Sequence, residues 1–285
     1  MHIAFLGFGE AARAFRTTLA TADPSLRFTA WDMKLLGSEA ATLRNAITAA
    51  GVTEAAEPQA LADADWLISA VTADQSLLAL EPVLPALGQG TLVIDINSVS
   101  PGRKRETCQR VEATGAAYLD MAVMAPVHPK GHRTPVLIAG QAVGIEQALT
   151  RLGFSWKRTG VAAGEATAIK MVRSVFVKGL EAITVEALLA AERLGCRDEI
   201  LDSLAKSYPG LGWPDHAAYV FDRSLIHGTR RAAELRECAA TLNELGLTGR
   251  LADAIADVQA AMGTAGRDCL SDTLNATIAA TSAKR

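Results

Sequence analysis

The sequence is short of cysteine and has no long apolar run. Its four cysteines lie far apart among 285 residues, and no two of them form a C-x-x-C pair. Because zinc sites and disulfide frameworks need clustered cysteines, we expect four reduced thiols and no catalytic cysteine. Charged residues interrupt the apolar stretches before the roughly 18 residues that a membrane span needs, and residues 1–8 lack the features of a signal peptide. These absences predict a cytoplasmic protein without a membrane partner.

Neither sign of charge predominates. The chain has 28 lysines and arginines against 31 aspartates and glutamates, which gives a formal net charge of −3, and no basic block occurs. Nucleic-acid binding needs a basic face, so we expect no nucleic-acid partner. His128 and His132 have no acid or cysteine close to them, so we expect no metal site either.

The first 160 residues alternate short apolar or β-branched runs with helical stretches. The runs predict strands over residues 2–8, 27–31, 66–71, 91–96, 117–123, 135–139 and 156–158. The stretches between them predict helices over residues 10–20, 43–50, 76–87, 103–114 and 144–152, and prolines break the helix over residues 76–87. This alternation is typical of right-handed βαβ units, so it predicts an α/β domain with a mostly parallel, doubly wound sheet.

The second part of the chain has a different character. Residues 161–285 are rich in alanine, leucine, glutamate and arginine and contain no convincing strand. Candidate helices cover residues 166–194, 198–206, 213–224, 230–245 and 249–262. We therefore divide the chain into residues 1–160, an α/β domain, and residues 161–285, an all-α domain.

A glycine-rich turn follows the first strand. Its sequence fits G-x-G-x-x-A: Gly7 permits a tight turn, Gly9 lets the backbone approach a ligand, and Ala12 allows close helix packing. The helix that follows offers free N–H groups to an anion. The motif is typical of a Rossmann fold that binds a dinucleotide pyrophosphate, although a tight turn in an unrelated α/β protein is the alternative. The predicted contacts in this turn are Gly7, Phe8, Gly9, Glu10 and Ala11.

Three further segments complete the predicted cofactor site. Asp32 lies 25 positions after Gly7, at the end of the second strand. An acid there accepts a hydrogen bond from the ribose 2′-hydroxyl and repels a 2′-phosphate, which favours NAD over NADP. Lys34 could meet a 2′-phosphate, so NADP stays possible. The remaining predicted cofactor contacts are Ala70, Val71 and Asn97.

Four segments, in the same order over nearly the whole chain, resemble the β-hydroxyacid dehydrogenases, which include 3-hydroxyisobutyrate and 6-phosphogluconate dehydrogenases. The glycine turn is the first. Residues 95–101 (D-I-N-S-V-S-P) are similar to the family's D-x-S-T-x-x-P, and residues 119–126 stand where the family has F-L-D-A-P-V-S-G-G. Residues 164–170 (G-E-A-T-A-I-K) are similar to G-x-G-x-x-A-K. The resemblance implies a Rossmann domain, a helical second domain and a catalytic lysine at Lys170.

The chain also departs from this family. The serine-glycine-glycine turn that binds substrate is replaced by Met124, Ala125 and Pro126, and Arg173 and Ser174 stand where two asparagines are usual. The second half resembles a less characterised, phosphogluconate-dehydrogenase-like branch with a distinct C-terminal domain. The cofactor chemistry is therefore expected to carry over, while the substrate stays open. The predicted substrate contacts are Ser98, Ala125, Pro126, Arg173, Ser174 and His227.

The helix predicted over residues 166–194 carries a polar stripe at helical spacing, made of Lys170, Arg173, Ser174, Lys178 and Glu181. One interpretation is a solvated face with Lys178 and Glu181 as an i, i+3 pair. The resemblance favours the other, in which Lys170 is the general acid/base of hydride transfer and Arg173 anchors an anionic substrate. A lysine close to a cationic nicotinamide ring and partly desolvated favours its neutral form.

The sequence thus predicts an NAD(P)-dependent dehydrogenase that acts on a small, anionic hydroxy acid of the 3-hydroxy acid or sugar-acid type. A reductase of imines or other carbonyls, and a dinucleotide-binding protein without turnover, are the alternatives. The apolar helical domain predicts a homodimer. Two polar groups are further candidates for anion contact: a loop with His128, Lys130, His132 and Arg133, for which a solvated surface is favoured, and a helix start with His227, Arg230 and Arg231.

Overall fold

The computed structural model describes residues 1–142 and 144–285. The chain divides into two compact units, Met1–Met171 and Val172–Arg285. One sheet in the first unit contains β1 (His2–Leu6), β2 (Arg27–Trp31), β3 (Thr53–Glu54), β4 (Trp66–Ser69), β5 (Leu92–Asp95), β6 (Ala117–Val123), β7 (Val136–Ala139) and β8 (Trp156–Gly160). The strand order is β3-β2-β1-β4-β5-β6-β7-β8. All neighbouring pairs are parallel except β6 and β7. This confirms the predicted α/β fold with a mostly parallel sheet.

Helices connect these strands and make up the second unit. Those of the first unit are α1 (Glu10–Ala22), α2 (Ala40–Ala49), α3 (Pro101–Glu112) and α4 (Ile145–Leu152). Helix α5 (Glu165–Leu194) begins in the first unit, and the second unit continues with α6 (Arg197–Ser207), α7 (Asp215–Glu244), α8 (Arg250–Ala265) and α9 (Leu274–Lys284). No helix in the described residues is long and apolar enough to cross a membrane. The helical second part confirms the predicted fold class.

The central strands are covered on both faces, as their composition requires. Residues 3–6 of β1 and all four residues of β4 and of β5 are buried, which is typical of parallel strands between two layers of helices. The chain order reverses between β1 and β4, so the connections from these two strands leave in opposite directions. Such a switch point opens a crevice at the carboxyl ends of the strands. The fold therefore provides a ligand site at this edge.

Residues 76–87, predicted as a helix broken by prolines, contain no α-helix. This stretch consists of turns between two short 3₁₀ helices, Ala73–Gln75 and Leu84–Ala86. Pro82 and Pro85 have no N–H to donate, and each clashes with the carbonyl of the preceding turn. Two prolines three positions apart therefore prevent a continuous helix, despite the apolar periodicity of the leucines.

The second unit differs from expectation in two ways. The helices predicted over residues 213–224 and 230–245 form one helix, α7, which runs through Gly228. A Cβ at Gly228 would lie 2.2 Å from the Gln259 carbonyl oxygen and 2.5 Å from the Gly263 nitrogen of α8. This glycine therefore permits two helices to cross closely, rather than ending one of them. Helix α9, near the end of the chain, was not predicted.

Candidate active site

The predicted cofactor residues of the first unit meet at one edge of its sheet. Gly7 follows β1, Asp32 follows β2, Ala70 follows β4 and Asn97 follows β5. Because these strands are parallel, their carboxyl ends lie side by side, and the turns that leave them border a single crevice. The fold thus brings together segments that are up to 90 positions apart in the sequence.

The two glycines of the turn have different surroundings. Gly7 has a φ of +85°, and a Cβ there would lie 2.6 Å from the Ala70 carbonyl oxygen. Gly9, immediately before α1, has a φ of −80°, and a Cβ there would meet nothing within 4 Å. The first glycine is therefore required by the fold, whereas the second leaves open space at the N-terminus of a helix. That space fits a pyrophosphate.

Asp32 orders the turn at the end of β2. Its Oδ2 accepts the Phe8 N–H at 2.9 Å, and its Oδ1 accepts the Lys34 N–H at 3.0 Å. The ammonium of Lys34 is exposed and lies 2.9 Å from Glu39 Oε2. Lys34 is thus held by an acid, and its charge is partly offset.

Asn97 connects the ends of two neighbouring strands. Its Oδ1 accepts the Val71 N–H at 2.7 Å, and its Nδ2 donates to Ser69 Oγ at 2.8 Å. The Asn97 side chain is buried, while Ala70 and Val71 are half-buried at the edge. These bonds hold the two turns together, so Asn97 shapes this part of the crevice through the backbone of Val71.

Lys170 lies beside Ser98 at the same edge. Lys170, on the second turn of α5, donates from Nζ to Ser98 Oγ at 2.6 Å. The first turn of α5 packs through Ala166 against Ala122 of β6 and Ala139 of β7, two other small residues. Small residues allow the helix to approach the sheet closely, and this brings a partly exposed amine to the turn after β5.

The turn formed by Met124, Ala125 and Pro126 follows β6 at the same edge. Met124 donates its N–H to the Pro135 carbonyl oxygen at 2.9 Å, which continues the antiparallel pairing of β6 with β7 by one residue. Ala125 and Pro126 are exposed. Both side chains are apolar, so this turn offers a substrate no polar side chain from these two positions.

The remaining predicted contacts belong to the second unit. Arg173 is exposed and Ser174 is buried on α5, whereas His227 is half-buried. His227, Arg230 and Arg231 were predicted at a helix start, but they lie in the middle of α7, because the helix continues through Gly228.

The ion pairs of the second unit contradict the alternative interpretation, in which Lys178 and Glu181 pair on a solvated face. Lys178 Nζ lies 2.5 Å from Glu234 Oε2, and Glu181 pairs with Arg231. The side chains of Lys178, Glu181 and Arg231 are buried. The polar stripe of α5 is therefore not a solvated face in this unit, because α7 supplies an opposite charge to each of its ionised side chains at 178 and 181.

The polar loop at residues 128–133 is only partly solvated. His132 is fully buried: its Nε2 lies 2.8 Å from the Leu152 carbonyl oxygen and its Nδ1 lies 2.7 Å from Thr18 Oγ1. His128, Lys130 and Arg133 are exposed. His132 thus joins α1 to the end of α4 and is a structural residue, which corrects, at this position, both the favoured interpretation of a solvated loop and the alternative of an anion contact.

Burial lowers the pKa of His132, with a smaller contribution from Arg133. The unfolded chain therefore takes up a proton on His132 at a higher pH than the folded chain. The contribution of His132 to stability is complete above pH 6.5, its ordinary pKa, and is lost as the pH falls through the pKa of the folded state. We expect the free energy of unfolding to fall with acidification from above to below pH 6.5, and to fall less in His132→Gln. Urea titrations at a series of pH values measure this. Equal pH dependence in the two proteins would exclude His132 as the cause.

The cysteines are free thiols in the described residues, as expected. Burial raises the pKa of Cys108 to about 12, with a further contribution from Glu112. A thiol with so high a pKa holds almost no thiolate at neutral pH and is a poor nucleophile.

One group of buried ionic residues was missed by the sequence analysis. Lys104 of α3 is fully buried and pairs with Asp95 and Asp120. The two aspartates belong to recognised motifs, but no local pattern indicates that a lysine in an otherwise polar helix points inward.

Comparison with protein families gives two matches. Residues 2–148 match the model described as the NAD binding domain of 6-phosphogluconate dehydrogenase. Residues 191–262 match a domain of unknown function (DUF1932).

Known proteins similar to this chain cover it to different extents. A conserved hypothetical protein from Sinorhizobium meliloti 1021 is 33% identical, with a TM-score of 0.75 over 100% of this chain and 97% of that chain. The 3-hydroxyisobutyrate dehydrogenase of Mycobacterium tuberculosis is 22% identical, with a TM-score of 0.73 over 98% of each chain, which is a likeness of fold. An uncharacterized 28.5 kDa protein from Methanothermus fervidus is 28% identical over 177 residues, 61% of this chain and 66% of that protein.

Proposed function

We propose that this chain catalyses reversible hydride transfer between a nicotinamide cofactor and a small hydroxy acid. The chain belongs to the family described as the NAD binding domain of 6-phosphogluconate dehydrogenase. The hydrogen bond of 2.6 Å from Lys170 Nζ to Ser98 Oγ carries the proposal. This bond joins an amine to the turn after β5. The turn lies at the same edge of the sheet as the glycine turn that follows β1. An acid/base group at the carboxyl edge of a Rossmann sheet is what this chemistry needs.

The described residues fit a dinucleotide. The space beside Gly9 would accept the pyrophosphate at the N-terminus of α1. The Asp32 carboxylate, at the end of β2, would accept the ribose hydroxyls, and Val71 would border the nicotinamide half. We further propose NAD rather than NADP, because Asp32 would repel a 2′-phosphate and the Lys34 ammonium already lies 2.9 Å from Glu39.

The chain's own residues would perform the proton transfer. When bound, the nicotinamide supplies the site that accepts or donates the hydride. In oxidation, the neutral Lys170 Nζ accepts the proton of the substrate hydroxyl while the carbonyl forms. In reduction, the Lys170 ammonium returns that proton to the developing alkoxide. Ser98 Oγ keeps Nζ in position by accepting its hydrogen bond.

We propose that the substrate is anionic. Arg173 and Ser174 follow Lys170 by three and four positions on the same helix, and this spacing gives the three residues one side of α5. The guanidinium of Arg173 is exposed and could bind a carboxylate or phosphate with two parallel hydrogen bonds. His227, Ala125 and Pro126 stay predictions as further substrate contacts.

A second candidate is the reduction of imines or other carbonyls that carry no acid group. The exposed Ala125 and Pro126 favour it, because these apolar side chains stand where the family binds an acid substrate. A dinucleotide-binding protein without turnover is a third possibility, which the presence of Lys170 beside Ser98 disfavours.

One panel distinguishes these functions. Purified protein is assayed with NAD and NADP against small 3-hydroxy acids and sugar acids, and with the reduced cofactors against keto acids, neutral ketones and imines. Turnover on acids in both directions supports the main proposal, and turnover on imines alone supports the second. Cofactor binding without any turnover would leave the third.

Replacing Gly9 by alanine is expected to weaken cofactor binding about tenfold, because its methyl group enters the space assigned to the pyrophosphate. Stability is expected to be unchanged or slightly higher, since a φ of −80° suits any residue. Calorimetric titration with NAD and a thermal melt measure the two effects. The matched control is Gly88→Ala, whose Cβ also meets nothing within 4 Å. Equal NAD affinity in both variants would contradict the assignment of the space beside Gly9 to the pyrophosphate.

We also propose a homodimer formed through the helical unit, in a cytoplasmic protein. Val172, Phe176 and Ile183 lie along one side of α5 and are 52%, 75% and 66% exposed, which is unusual for large apolar residues in a row. Light scattering is expected to give a dimer mass for the wild type and a monomer mass for Phe176→Ser. A monomeric wild type would exclude the dimer.

A further inference from the structure

A buried group of charged side chains adjoins the site, and the proposed proton transfer does not use it. The Lys104 side chain of α3 is fully buried, and its Nζ lies 2.9 Å from Asp95 Oδ1 and 3.5 Å from Asp120 Oδ1. Asp95 ends β5, and Asp120 is its partner in the register with β6. We call Asp95, Lys104 and Asp120 the buried triad.

Asp120 holds the start of the helix that carries Lys170. Its Oδ2 accepts the N–H groups of Gly164 and Thr167, each at 3.0 Å. The first N–H groups of a helix have no partner within it, and a helix N-terminus favours a negative charge. One lysine cannot neutralise two carboxylates, so the N-terminus of α5 supplies the second favourable interaction. Asp120 is therefore bound to Lys104 on one side and to α5 on the other.

Asp95 holds the turn that carries Ser98. Its Oδ1 accepts the Asn97 N–H at 2.9 Å, and its Oδ2 accepts the Tyr118 hydroxyl at 2.7 Å. Lys104 Nζ also donates to the Asp95 carbonyl oxygen at 2.7 Å. The backbone just before Ser98 is thus fixed by the same ammonium that pairs with Asp120.

From this geometry we propose that Asp120, acting with Lys104, is a positioning residue that sets the place of Lys170 relative to Ser98. The proposal rests on the proposed function, because Lys170 and Ser98 are the pair that performs it. The triad connects the two chain segments that bear this pair, and these segments are 72 positions apart in sequence. A rotation at the first turn of α5 would move Nζ on its second turn.

Stability alone is a weak reason for such a group. Burying three ionised side chains carries a desolvation penalty that their mutual attraction often fails to exceed, and apolar replacements of such groups are often neutral or stabilising. The specific consequence of the triad is that the turn after β5 and the N-terminus of α5 are held at a fixed separation. In Asp120→Asn, Lys104 and Asp95 form a one-to-one pair and the amide oxygen can still accept an N–H, so this variant is expected to fold.

The test compares Asp120→Asn and Asp120→Ala with the wild type. We expect kcat to fall about thirtyfold in Asp120→Asn and further in Asp120→Ala, which accepts no N–H, because a displacement on the order of 1 Å costs up to about a hundredfold. The KM for NAD should stay within twofold, because no residue of the predicted cofactor site is changed. Without cofactor, the rate at which acetic anhydride labels Lys170, relative to the exposed Lys157, should change at least threefold in both variants.

Leu149→Ala, which opens a cavity in the buried face of α4, is the control for lost stability. It is expected to lower Tm without changing kcat or the labelling of Lys170. Asp120 variants that lose Tm but keep both the wild-type kcat and the wild-type labelling would overturn the proposal. If Asp120→Ala fails to fold, Asp120→Asn decides. If the wild type turns over no substrate, the proposed function fails, and the labelling rates alone judge the positioning role.

Discussion

Replacing Lys170 by methionine is expected to lower kcat about a thousandfold, within the range that loss of a general acid/base causes. Methionine keeps the length and apolar stem of the side chain but cannot accept or donate the proton. The Lys170 side chain contacts the turn after β5 through Ser98, and the substitution leaves the glycine turn and Asp32 unchanged. NAD affinity is therefore expected to stay within about twofold of the wild type, because the substitution removes a group that acts in the transition state and not one that binds the cofactor.

The kinetic comparison includes two further variants. Ser98→Ala removes a hydrogen-bond acceptor of Nζ but leaves the amine in place, so a smaller loss of about tenfold is expected. Lys157→Met removes an exposed lysine of β8 and is expected to keep the wild-type kcat. Steady-state assays with the substrate found in the panel, together with calorimetric titration of NAD, measure both quantities. A Lys170→Met enzyme with the kcat of Lys157→Met would exclude Lys170 as the acid/base.

Replacing Gly228 by alanine is expected to destabilise the second unit by about 2 kcal/mol. Alanine is the better helix former by about 1 kcal/mol. Its Cβ, however, would lie 2.2 Å from the Gln259 carbonyl oxygen and 2.5 Å from the Gly263 nitrogen. These are backbone atoms that no rotamer change can move, so α7 and α8 must separate, and overpacking of this kind costs about 3 kcal/mol. The overlap outweighs the gain in helix propensity.

The matched control for this variant is Gly210→Ala, whose Cβ meets nothing within 4 Å. Native-state hydrogen exchange, followed by mass spectrometry of peptides from α7 and α8, measures the stability of the second unit. We expect faster exchange in Gly228→Ala and unchanged exchange in Gly210→Ala. Unchanged exchange in both would contradict the close crossing of the two helices.

The sequence predicted the α/β part well where its signals are local. The run before Gly7 predicted a strand and the residues after Gly9 a helix, and β1 and α1 confirm both. Continuous apolar runs predicted the central strands because parallel strands are buried on both faces. The resemblance to 6-phosphogluconate dehydrogenase-like proteins is confirmed by the family match over residues 2–148.

Other features could not be predicted because they depend on distant parts of the chain. Gly228 resembles a helix end in sequence, and only the approach of Gly263 explains a glycine within α7. Residues 76–87 differ from this case because the cause is local: the two prolines that break the predicted helix lie within the segment, and they exclude α-helix from all of it.

The candidate site divides along the same line. The alternative of a Lys178–Glu181 pair on a solvated face is wrong because α7 supplies Glu234 and Arg231 as the partners of these two side chains. The loop at residues 128–133 looked polar throughout, although His132 is buried between Thr18 and Leu152. The hydrogen bond from Lys170 to Ser98 joins two recognised motifs, but their contact became visible only in the fold.

The most direct test of the account is the transfer of an isotope. NADH deuterated at its transferable position is incubated with the wild-type protein and the keto acid of the best substrate, and the product is examined by mass spectrometry. The account predicts one deuterium on the carbon that bears the new hydroxyl, and its near absence from the product of Lys170→Met in the same time. A reduced product without deuterium, or equal deuterium transfer by Lys170→Met, would contradict hydride transfer assisted by Lys170.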